Sequence, residues 1–254
     1  MAYRYLFEQM VRRELRQKYR GSALGVLWYL INPLVLMGAY YLMFGVIFDQ
    51  ASEPDYPLFL LVGLVVWVFF NQAVVSAAPS LLDQGALVRK ARFPREIIPA
   101  SVVTVQLVTF LALIALLAPV TIAFRGTLDV ALLLLPLVLA CLFAFILGIA
   151  LAVSILHAYF RDVAPILSAA LLPWFFISPI FFRPESITEQ ATARFVLEWV
   201  NPVAPFIGSV RDVIYGGIVP GGAELAYIVV AATVALVGGH ALFRRLQGEL
   251  AVVV

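Results

Sequence analysis

The chain has 254 residues, of which 63% are hydrophobic and only 13% are charged, and its net charge is +2. A water-soluble domain of this length could not cover its surface with so few charged side chains, so the composition excludes one. Most side chains must face lipid, and we expect membrane lipids and no nucleic acid among the partners of the protein.

The first predicted element is an amphipathic helix over residues 3–20, within a cytoplasmic interface segment of residues 1–23. Glu14 and Lys18 interrupt its apolar side but can pair at i,i+4. Such a helix lies in the plane of the membrane interface, either as an anchor on anionic lipid or as a lever that contacts a cytoplasmic partner. Its apolar side consists of Tyr3, Leu6, Phe7, Met10, Val11 and Leu15.

Six apolar stretches follow, each about as long as the ~20 residues that a membrane-spanning helix needs. They are longer than transmembrane β-strands and lack the alternation of such strands, so the prediction is an all-α, polytopic membrane protein with six transmembrane helices. Six helices with short connections use the whole chain, which predicts a single membrane domain over residues 1–254. The expected spans are residues 24–48, 58–79, 97–123, 128–156, 163–182 and 224–243.

Small residues recur at every fourth position in the fourth and sixth spans, a spacing that lets two helices approach closely. We interpret both stripes as packing faces rather than ligand sites. The single cysteine, Cys141, lies in the fourth span and is interpreted as a small buried apolar residue. The stripes consist of Ala140, Ala144, Gly148 and Ala152, and of Ala231, Ala235 and Gly239.

Two connections have unusual compositions. Residues 81–96 are short and basic, and Asp83 could cap a short helix there that ends before Pro94. Residues 183–222 are too apolar for a solvated loop and too interrupted for a clean span, so we expect short re-entrant or interfacial helices in an outer loop. A seventh span is the alternative, but it would place Arg244 and Arg245 outside, against the distribution of basic residues.

That distribution predicts that both termini are cytoplasmic, because cytoplasmic loops of membrane proteins carry the excess of Lys and Arg. The loop after the first span holds Asp49, Glu53 and Asp55 and no basic residue. The basic residues on the predicted cytoplasmic side are Arg4, Arg12, Arg13, Arg16, Lys18, Arg20, Arg89, Lys90, Arg92, Arg95, Arg161, Arg244 and Arg245.

The chain lacks the residues of the common catalytic and nucleotide-binding motifs. Its two lysines, Lys18 and Lys90, do not end a phosphate-binding loop, and a satisfied interfacial histidine is the better interpretation of both His157 and His240. Ionisable side chains are nearly missing from the spans, which argues against a proton- or sodium-coupled carrier. We expect no catalytic residue, cofactor or metal on this chain, so the energy source must lie elsewhere.

Aromatic side chains are plentiful in the first, second and fifth spans. An interfacial belt and ordinary packing explain any single one of them. The alternative is a transport path lined by rings, because aromatic faces bind the C–H faces of sugars without a fixed charge. The candidates for this path are Trp28, Tyr40, Tyr41, Phe44, Trp67, Phe70, Trp174 and Phe175.

Two predicted cytoplasmic segments could receive energy from a partner: the loop 81–96 and the turn between the fourth and fifth spans. The alternative for their arginines is that they only set the orientation of the chain, although this rule gives the uncharged Phe93 no role. The candidates for coupling are Leu87, Arg89, Arg92, Phe93, Arg95, Arg161 and Asp162.

The order of these motifs resembles that of ABC-2 type exporter permeases, nearest to the branch that exports O-antigen, teichoic acid and related polysaccharides. The resemblance extends over nearly the full chain. It is carried by residues 20–28 followed by Asn32-Pro33, by residues 90–99, 160–163 and 178–181, and by Asn201-Pro202.

The resemblance implies a homodimer in the bacterial plasma (inner) membrane that works with two copies of a separate P-loop ATPase, which would bind ATP and Mg. It also implies a lipid-linked polysaccharide as cargo, exported from the cytoplasmic face. Two alternatives stay open: an ABC-2 exporter of a small drug or lipid, and, in a different class, an intramembrane enzyme or assembly factor for lipid-linked glycans.

Overall fold

The computed structural model is helical in the part of the chain that it describes, residues 2–19, 28–47, 55–90, 93–126, 129–186 and 190–250, and it has no β-strand there. This confirms the all-α prediction. Several predicted features fall outside these ranges, including Arg92 and most of the segment 20–28.

Eleven α-helices are assigned in the described ranges, some of them continued by tighter or wider turns. They are α1 (Ala2–Tyr19), α2 (Trp28–Tyr40, continued by a π-helical stretch Tyr41–Ile47), α3 (Tyr56–Ala77), α4 (Ser80–Asp83), α5 (Gly85–Lys90), α6 (Ile97–Arg125), α7 (Leu135–Tyr159, preceded by a 3-10 helix Val130–Leu134), α8 (Val163–Ile177), α9 (Ala191–Phe195, continued by Val196–Val200), α10 (Ala204–Arg211, continued by Asp212–Gly216) and α11 (Gly222–Leu246). A short 3-10 helix, Pro184–Ser186, follows α8.

Five helical segments within the described ranges are long and apolar enough to cross a membrane: Leu30–Ile47, Tyr56–Ala77, Ile97–Arg125, Val130–Tyr159 and Gly222–Leu246. They agree with five of the six predicted spans. The remaining one was expected to reach residue 182, but α8 ends at Ile177 after 15 residues, or about 22 Å. It ends there because the next residue but one is Pro179, and Ser178 before it is extended with ψ 143°.

The core is built around α3, which is apolar over most of its surface and buried along most of its length. It contacts α2, α6, α7, α8 and α10. The rings of Phe69 on α3 and Phe110 on α6 stack with centroids 4.5 Å apart. Residues 183–222, the predicted outer loop, are called here the outer segment. In its short helices the ring centroid of Phe206 on α10 lies 4.8 Å from that of Phe145 on α7, so this segment is packed on the bundle.

The small-residue stripes were predicted to be packing faces, and Gly148 of α7 and Gly239 of α11 meet in one helix–helix contact. A Cβ atom added to Gly148 would overlap the backbone of Ala235, and one added to Gly239 would overlap the backbone of Gly148. The two backbones are therefore in direct contact, and no larger residue fits at either glycine.

α8 ends at Ile177, and the chain then breaks from the helix at Ser178 and Pro179. Polar side chains of the outer segment bind this break. The Asn201 side-chain amide donates to the hydroxyl oxygen of Ser178 at 3.0 Å. The buried guanidinium group of Arg211 donates to the carbonyl oxygens of Pro179 (2.8 Å) and Ile180 (3.0 Å). Together these contacts hold the segment that follows α8, and those of Arg211 satisfy two carbonyl oxygens beyond the end of the helix. They also bring together the segments 178–181 and 201–202, which the sequence indicated separately.

The amphipathic helix α1 packs on the bundle through Met10, which is buried, and Leu6. Glu14 accepts a hydrogen bond from the side-chain amide of Gln84 at 2.9 Å, and Lys18 donates to the side-chain oxygen of Gln106. The two residues that interrupt the apolar side thus bind other helices.

The predicted cap at Asp83 is wrong. Asp83 is the last residue of α4, and α5 begins after Gln84, whose carbonyl oxygen accepts from the backbone N–H groups of Leu87 and Val88. A break between two short helices replaces the single capped helix, and α5 still ends before Pro94, as expected.

Candidate functional site

A groove of about 400 Å³ lies between α2, α3 and α8. The helical spacing of its lining residues shows that each helix presents one continuous face to it. The lining residues are Asn32, Leu36 and Tyr40 of α2, Leu64, Trp67, Val68, Asn71, Gln72 and Val75 of α3, and Ser168, Leu171, Leu172 and Phe175 of α8.

Each of the three helices contributes one ring to the groove: Tyr40, Trp67 and Phe175, called here the aromatic layer. The ring centroids of Tyr40 and Phe175 are 5.4 Å apart, and those of Trp67 and Phe175 are 5.6 Å apart. Beyond this layer, the ring of Phe181 lies 4.9 Å from Tyr40 and 5.2 Å from Phe175. Three of the eight aromatic candidates are therefore brought together in one cavity.

Two other candidates lie near the end of the groove that Phe181 covers. Phe44 is 4.5 Å from Phe181, between ring centroids. Tyr41 faces Tyr56 at the start of α3, with centroids 6.5 Å apart. Neither ring lines the groove in this conformation of the chain.

The last three candidates lie elsewhere. Phe70 is fully buried, with its ring 5.4 Å from that of Trp174. Trp174 donates its indole N–H to the side-chain oxygen of Asn201 at 2.9 Å. Trp28, the first residue of α2, is 53% exposed. Phe70 and Trp174 support the groove from behind rather than lining it.

Reasoning from the sequence missed four polar residues of the groove: Asn32, Asn71, Gln72 and Ser168, called here the amide layer. A signal for three of them was present. Asn71 follows Trp67 at i,i+4, Asn32 precedes Tyr40 by two helical turns, and Ser168 precedes Phe175 by two turns. Polar residues within otherwise apolar spans are energetically costly and therefore mark candidate functional faces.

A second apolar cluster joins the candidate coupling segment to the ends of the long helices. We call it the basal cluster; Leu87 and Phe93 pack at its edge, half-buried. It thereby links α1, α4, α5, α6, α7 and α11. Its buried members are Met10, Leu81, Val88, Ile98, Leu151, Ile155, Ala158, Phe243 and Leu250.

The charged coupling candidates occupy three different environments. Arg89 is exposed on α5, and Arg161 and Asp162 are exposed in the turn between α7 and α8. Arg95 donates to the carbonyl oxygen of Gln247 at 2.5 Å, just beyond the end of α11. The turn is closed by His157, whose Nδ1 accepts from the backbone N–H of Ala164 at 3.3 Å, so the prediction of a satisfied histidine holds for His157.

Charged side chains surround two further cavities, one at each end of the groove helices. The first, of about 430 Å³, is lined by Glu14, Lys18 and Asp83 among polar side chains, and burial lowers the pKa of Lys18 to about 8. The second, of about 80 Å³, lies in the outer segment. There Arg183 binds Asp212 with 3.4 Å between nitrogen and oxygen.

Comparison with known proteins finds relatives whose names all refer to the export or transport of polysaccharides. The chain is 31% identical to the O-antigen export system permease protein RfbA of Myxococcus xanthus over 249 residues, which cover 98% of this chain and 95% of the relative. It is 28% identical to the protein of the same name from Klebsiella pneumoniae, covering 97% and 95% of the two chains. It is also 28% identical to the polysialic acid transport protein KpsM of Escherichia coli, covering 93% and 92%.

The sequence profile of one family, the ABC-2 type transporters, matches residues 5–215, which include the groove, the basal cluster's α4 and α5, and the break after α8. The match extends over most of the chain and agrees with the resemblance found in the sequence. The chain therefore belongs to the ABC-2 type transporter family.

Proposed function

We propose that this chain is the membrane-spanning subunit of an ATP-driven exporter that moves a lipid-linked polysaccharide from the cytoplasmic face across the bacterial inner membrane. The observation that carries the proposal is the groove of α2, α3 and α8, where rings and carboxamides line a cavity and none of the described lining residues is charged. Rings and neutral hydrogen-bonding groups are the surfaces that a sliding sugar polymer needs. Relatives of the chain are named as permeases for O-antigen and as a polysialic acid transport protein.

The energy for export comes, in this proposal, from a separate P-loop ATPase that holds ATP and Mg, because neither lysine of the chain ends a phosphate-binding loop. The ATPase contacts the chain at α5 and at the Arg161-Asp162 turn. The basal cluster supports this route, since Leu87 and Phe93 pack on the same apolar side chains as α1, α7 and α11. A displacement of α5 by the ATPase is thereby transmitted to the ends of the long helices.

The proposed topology has six spans, with α8 as the fifth and both termini in the cytoplasm. The outer segment, residues 183–222, is re-entrant in this proposal. It is supported by its short helices and by the contact of Phe206 with Phe145. We further propose a homodimer with two ATPase copies, because the groove is open along α2 and α8 and a closed path needs a second wall. The large apolar residues Val35 and Ile166 on these helices are exposed in the single chain.

Deletion of the gene in its host tests the function. Without the chain, the glycan should accumulate inside, so that a glycan-specific lectin labels cells only after permeabilisation. Expression of the chain should restore surface labelling. Expression should fail to restore it when the partner ATPase carries a substituted phosphate-binding lysine. Normal surface glycan in the deletion strain would contradict the proposal.

A further inference from the structure

The three helices of the groove alternate in direction. Tyr56, the first residue of α3, lies beside Tyr41 at the end of α2. The Tyr56 hydroxyl group also donates to the carbonyl oxygen of Phe181, just after α8, at 2.8 Å. The end of α2, the start of α3 and the end of α8 therefore meet. It follows that α2 and α8 run parallel to each other and antiparallel to α3.

This arrangement places the amide layer on one side of the aromatic layer. At about 1.5 Å per residue, Asn32 precedes Tyr40 by about 12 Å, and Ser168 precedes Phe175 by about 10 Å. On the antiparallel α3, Asn71 follows Trp67 by about 6 Å in the same direction. The polar groups of all three helices thus form a layer on the side of the groove that faces α1 and the basal cluster.

The amide layer has hydrogen-bonding capacity to spare. Within the described part of the chain, no hydrogen bond is formed by the side chains of Asn32, Asn71, Gln72 or Ser168. A carboxamide at membrane depth costs free energy unless it finds a partner. Each carboxamide offers two donors and an acceptor, and each hydroxyl of a sugar is both a donor and an acceptor. Sugar hydroxyls are therefore suitable partners.

The groove is also neutral. None of the described residues that line it carries a charge, whereas charged side chains line the cavities beyond both of its ends, Lys18 in one and Arg183 in the other. A carboxylate held inside the groove would lose water without gaining a cation, which is unfavourable. An uncharged sugar loses only hydroxyl hydration, which the amide layer replaces.

We propose that the amide layer is a hydrogen-bonding subsite for the hydroxyl groups of uncharged sugar residues, and that the groove thereby favours neutral over polyanionic glycans. The inference rests on the proposed function and names the class of cargo that the groove accepts. Rings of the aromatic layer contact the apolar faces of the sugars, and the amides bind their edges.

The test uses the chain in complex with its partner ATPase in lipid nanodiscs. Cys141→Ala removes the native thiol, and Leu172→Cys places one on the groove wall, at a side chain that is 64% exposed. Maltohexaose and hexagalacturonate, which are neutral and anionic hexamers, compete with a maleimide for this site. We expect the apparent Kd for maltohexaose to be at least about tenfold lower, a difference of about 1.4 kcal/mol.

Two variants test the amides themselves. In N71L/Q72L the apparent Kd for maltohexaose should rise about tenfold. The exchanged pair N71Q/Q72N keeps both carboxamides and should stay within about twofold of the unsubstituted chain. Equal protection by both hexamers overturns the inference, as does unchanged binding in N71L/Q72L. Loss of the dimer in N71L/Q72L also overturns it, because the amides would then pair between copies. If neither hexamer protects the unsubstituted complex, the proposed function of the groove itself fails.

Discussion

The helix pairs α7–α11 and α2–α8 are built in opposite ways. In α7–α11 the backbones touch at Gly148 and Gly239, where no Cβ atom fits. In α2–α8 the contact is made by side chains, such as the rings of Tyr40 and Phe175, and a cavity of about 400 Å³ remains between this pair and α3. One pair is closed by its backbones, and the other is open between side chains.

The difference between the two helix pairs indicates which part of the chain can rearrange. Close-packed backbones leave two helices no room to shift without losing many contacts at once. Ring contacts can break and re-form by rotation about side-chain torsions. We therefore expect α7–α11 to be the fixed frame of the protomer and α2–α8 to be the wall that moves as cargo passes.

The largest expected effect comes from forcing the fixed pair apart. Gly239→Leu should destabilise the fold by about 3 kcal/mol or more, because the side chain would overlap the backbone of Gly148. The neighbouring Gly238→Leu is the control, since a Cβ there meets nothing within 4 Å in the described chain. Thermal unfolding of the purified complex measures both variants. Equal stability of the two would remove the distinction between the helix pairs.

A slightly smaller loss is expected at the break that ends α8. Arg211→Met keeps the length of the buried side chain but removes the donors to Pro179 and Ile180, which should cost about 2–4 kcal/mol. Arg194→Met, which breaks a partly exposed i,i+4 pair with Glu198, should change stability by less than about 0.5 kcal/mol. Unfolding of both in the same detergent makes the comparison, and an Arg211 variant as stable as the control would contradict the role of this residue.

Substitutions in the open helix pair α2–α8 should affect transport more than stability. Tyr40→Leu removes the ring from the groove while keeping apolar bulk, and export should slow about two- to tenfold, the equivalent of about 0.5–1.5 kcal/mol of ring contact. Phe124→Leu is the matched control, because Phe124 is 74% exposed on α6. Surface glycan appearing after induction gives the rate. Export at the original rate in a folded Tyr40→Leu and Trp67→Leu double variant would leave these rings with a packing role only.

Substitution of any single residue at the basal cluster should have a still smaller effect, in this case on coupling to ATP hydrolysis. Phe93→Ala shortens an apolar contact at the edge of the cluster, and we expect substrate-stimulated ATP hydrolysis to fall about threefold to fivefold, close to 1 kcal/mol. Phe124→Ala, at an exposed position on α6 outside the cluster, is the control. Co-purification of the ATPase separates loss of coupling from loss of binding. If the complex that contains Phe93→Ala hydrolyses ATP normally, the energy enters the chain elsewhere, and α1 is the next candidate.

The smallest effect concerns α1 and pH, because Lys18 is partly exposed and solvent screens its charge. The pKa of Lys18 is about 8 in the folded chain and 10.5 ordinarily. The folded chain therefore binds this proton less tightly than the unfolded chain does. The free-energy cost of burying the charged Lys18 side chain is fully present below pH 8. Between about pH 8 and 10.5 the folded chain has lost this proton while the unfolded chain still holds it, so stability rises with pH. The melting temperature of the unsubstituted complex should accordingly rise relative to Lys18→Met between pH 7.5 and 9.5. Parallel pH profiles would show that Lys18 is more solvated than its place beside Gln106 indicates.

Reasoning from the sequence reached much of the fold and less of the site. The small-residue faces of α7 and α11 were predictable, because a four-residue stripe is a local pattern on one helix. The end of α8 was misplaced by five residues, since Ser178-Pro179 lies inside an apolar run and hydropathy continues across it. The cap at Asp83 failed because Gln84 breaks the helix, a choice made by packing of α4 and α5 on the basal cluster.

The sequence by itself determined that most side chains face lipid and that the chain is helical, because both depend on composition and on the spacing of residues along one helix. Only the tertiary structure decided which rings share a cavity. On α3 the pairing of Trp67 with Asn71 at i,i+4 marks one face, but the rest of the helix is apolar. Hydropathy alone therefore does not show that Trp67 lines the groove and that Phe70 is buried behind it. The burial of Arg211 was decided in the same way, since its partners lie about 30 residues away and only folding brings their carbonyl oxygens to it.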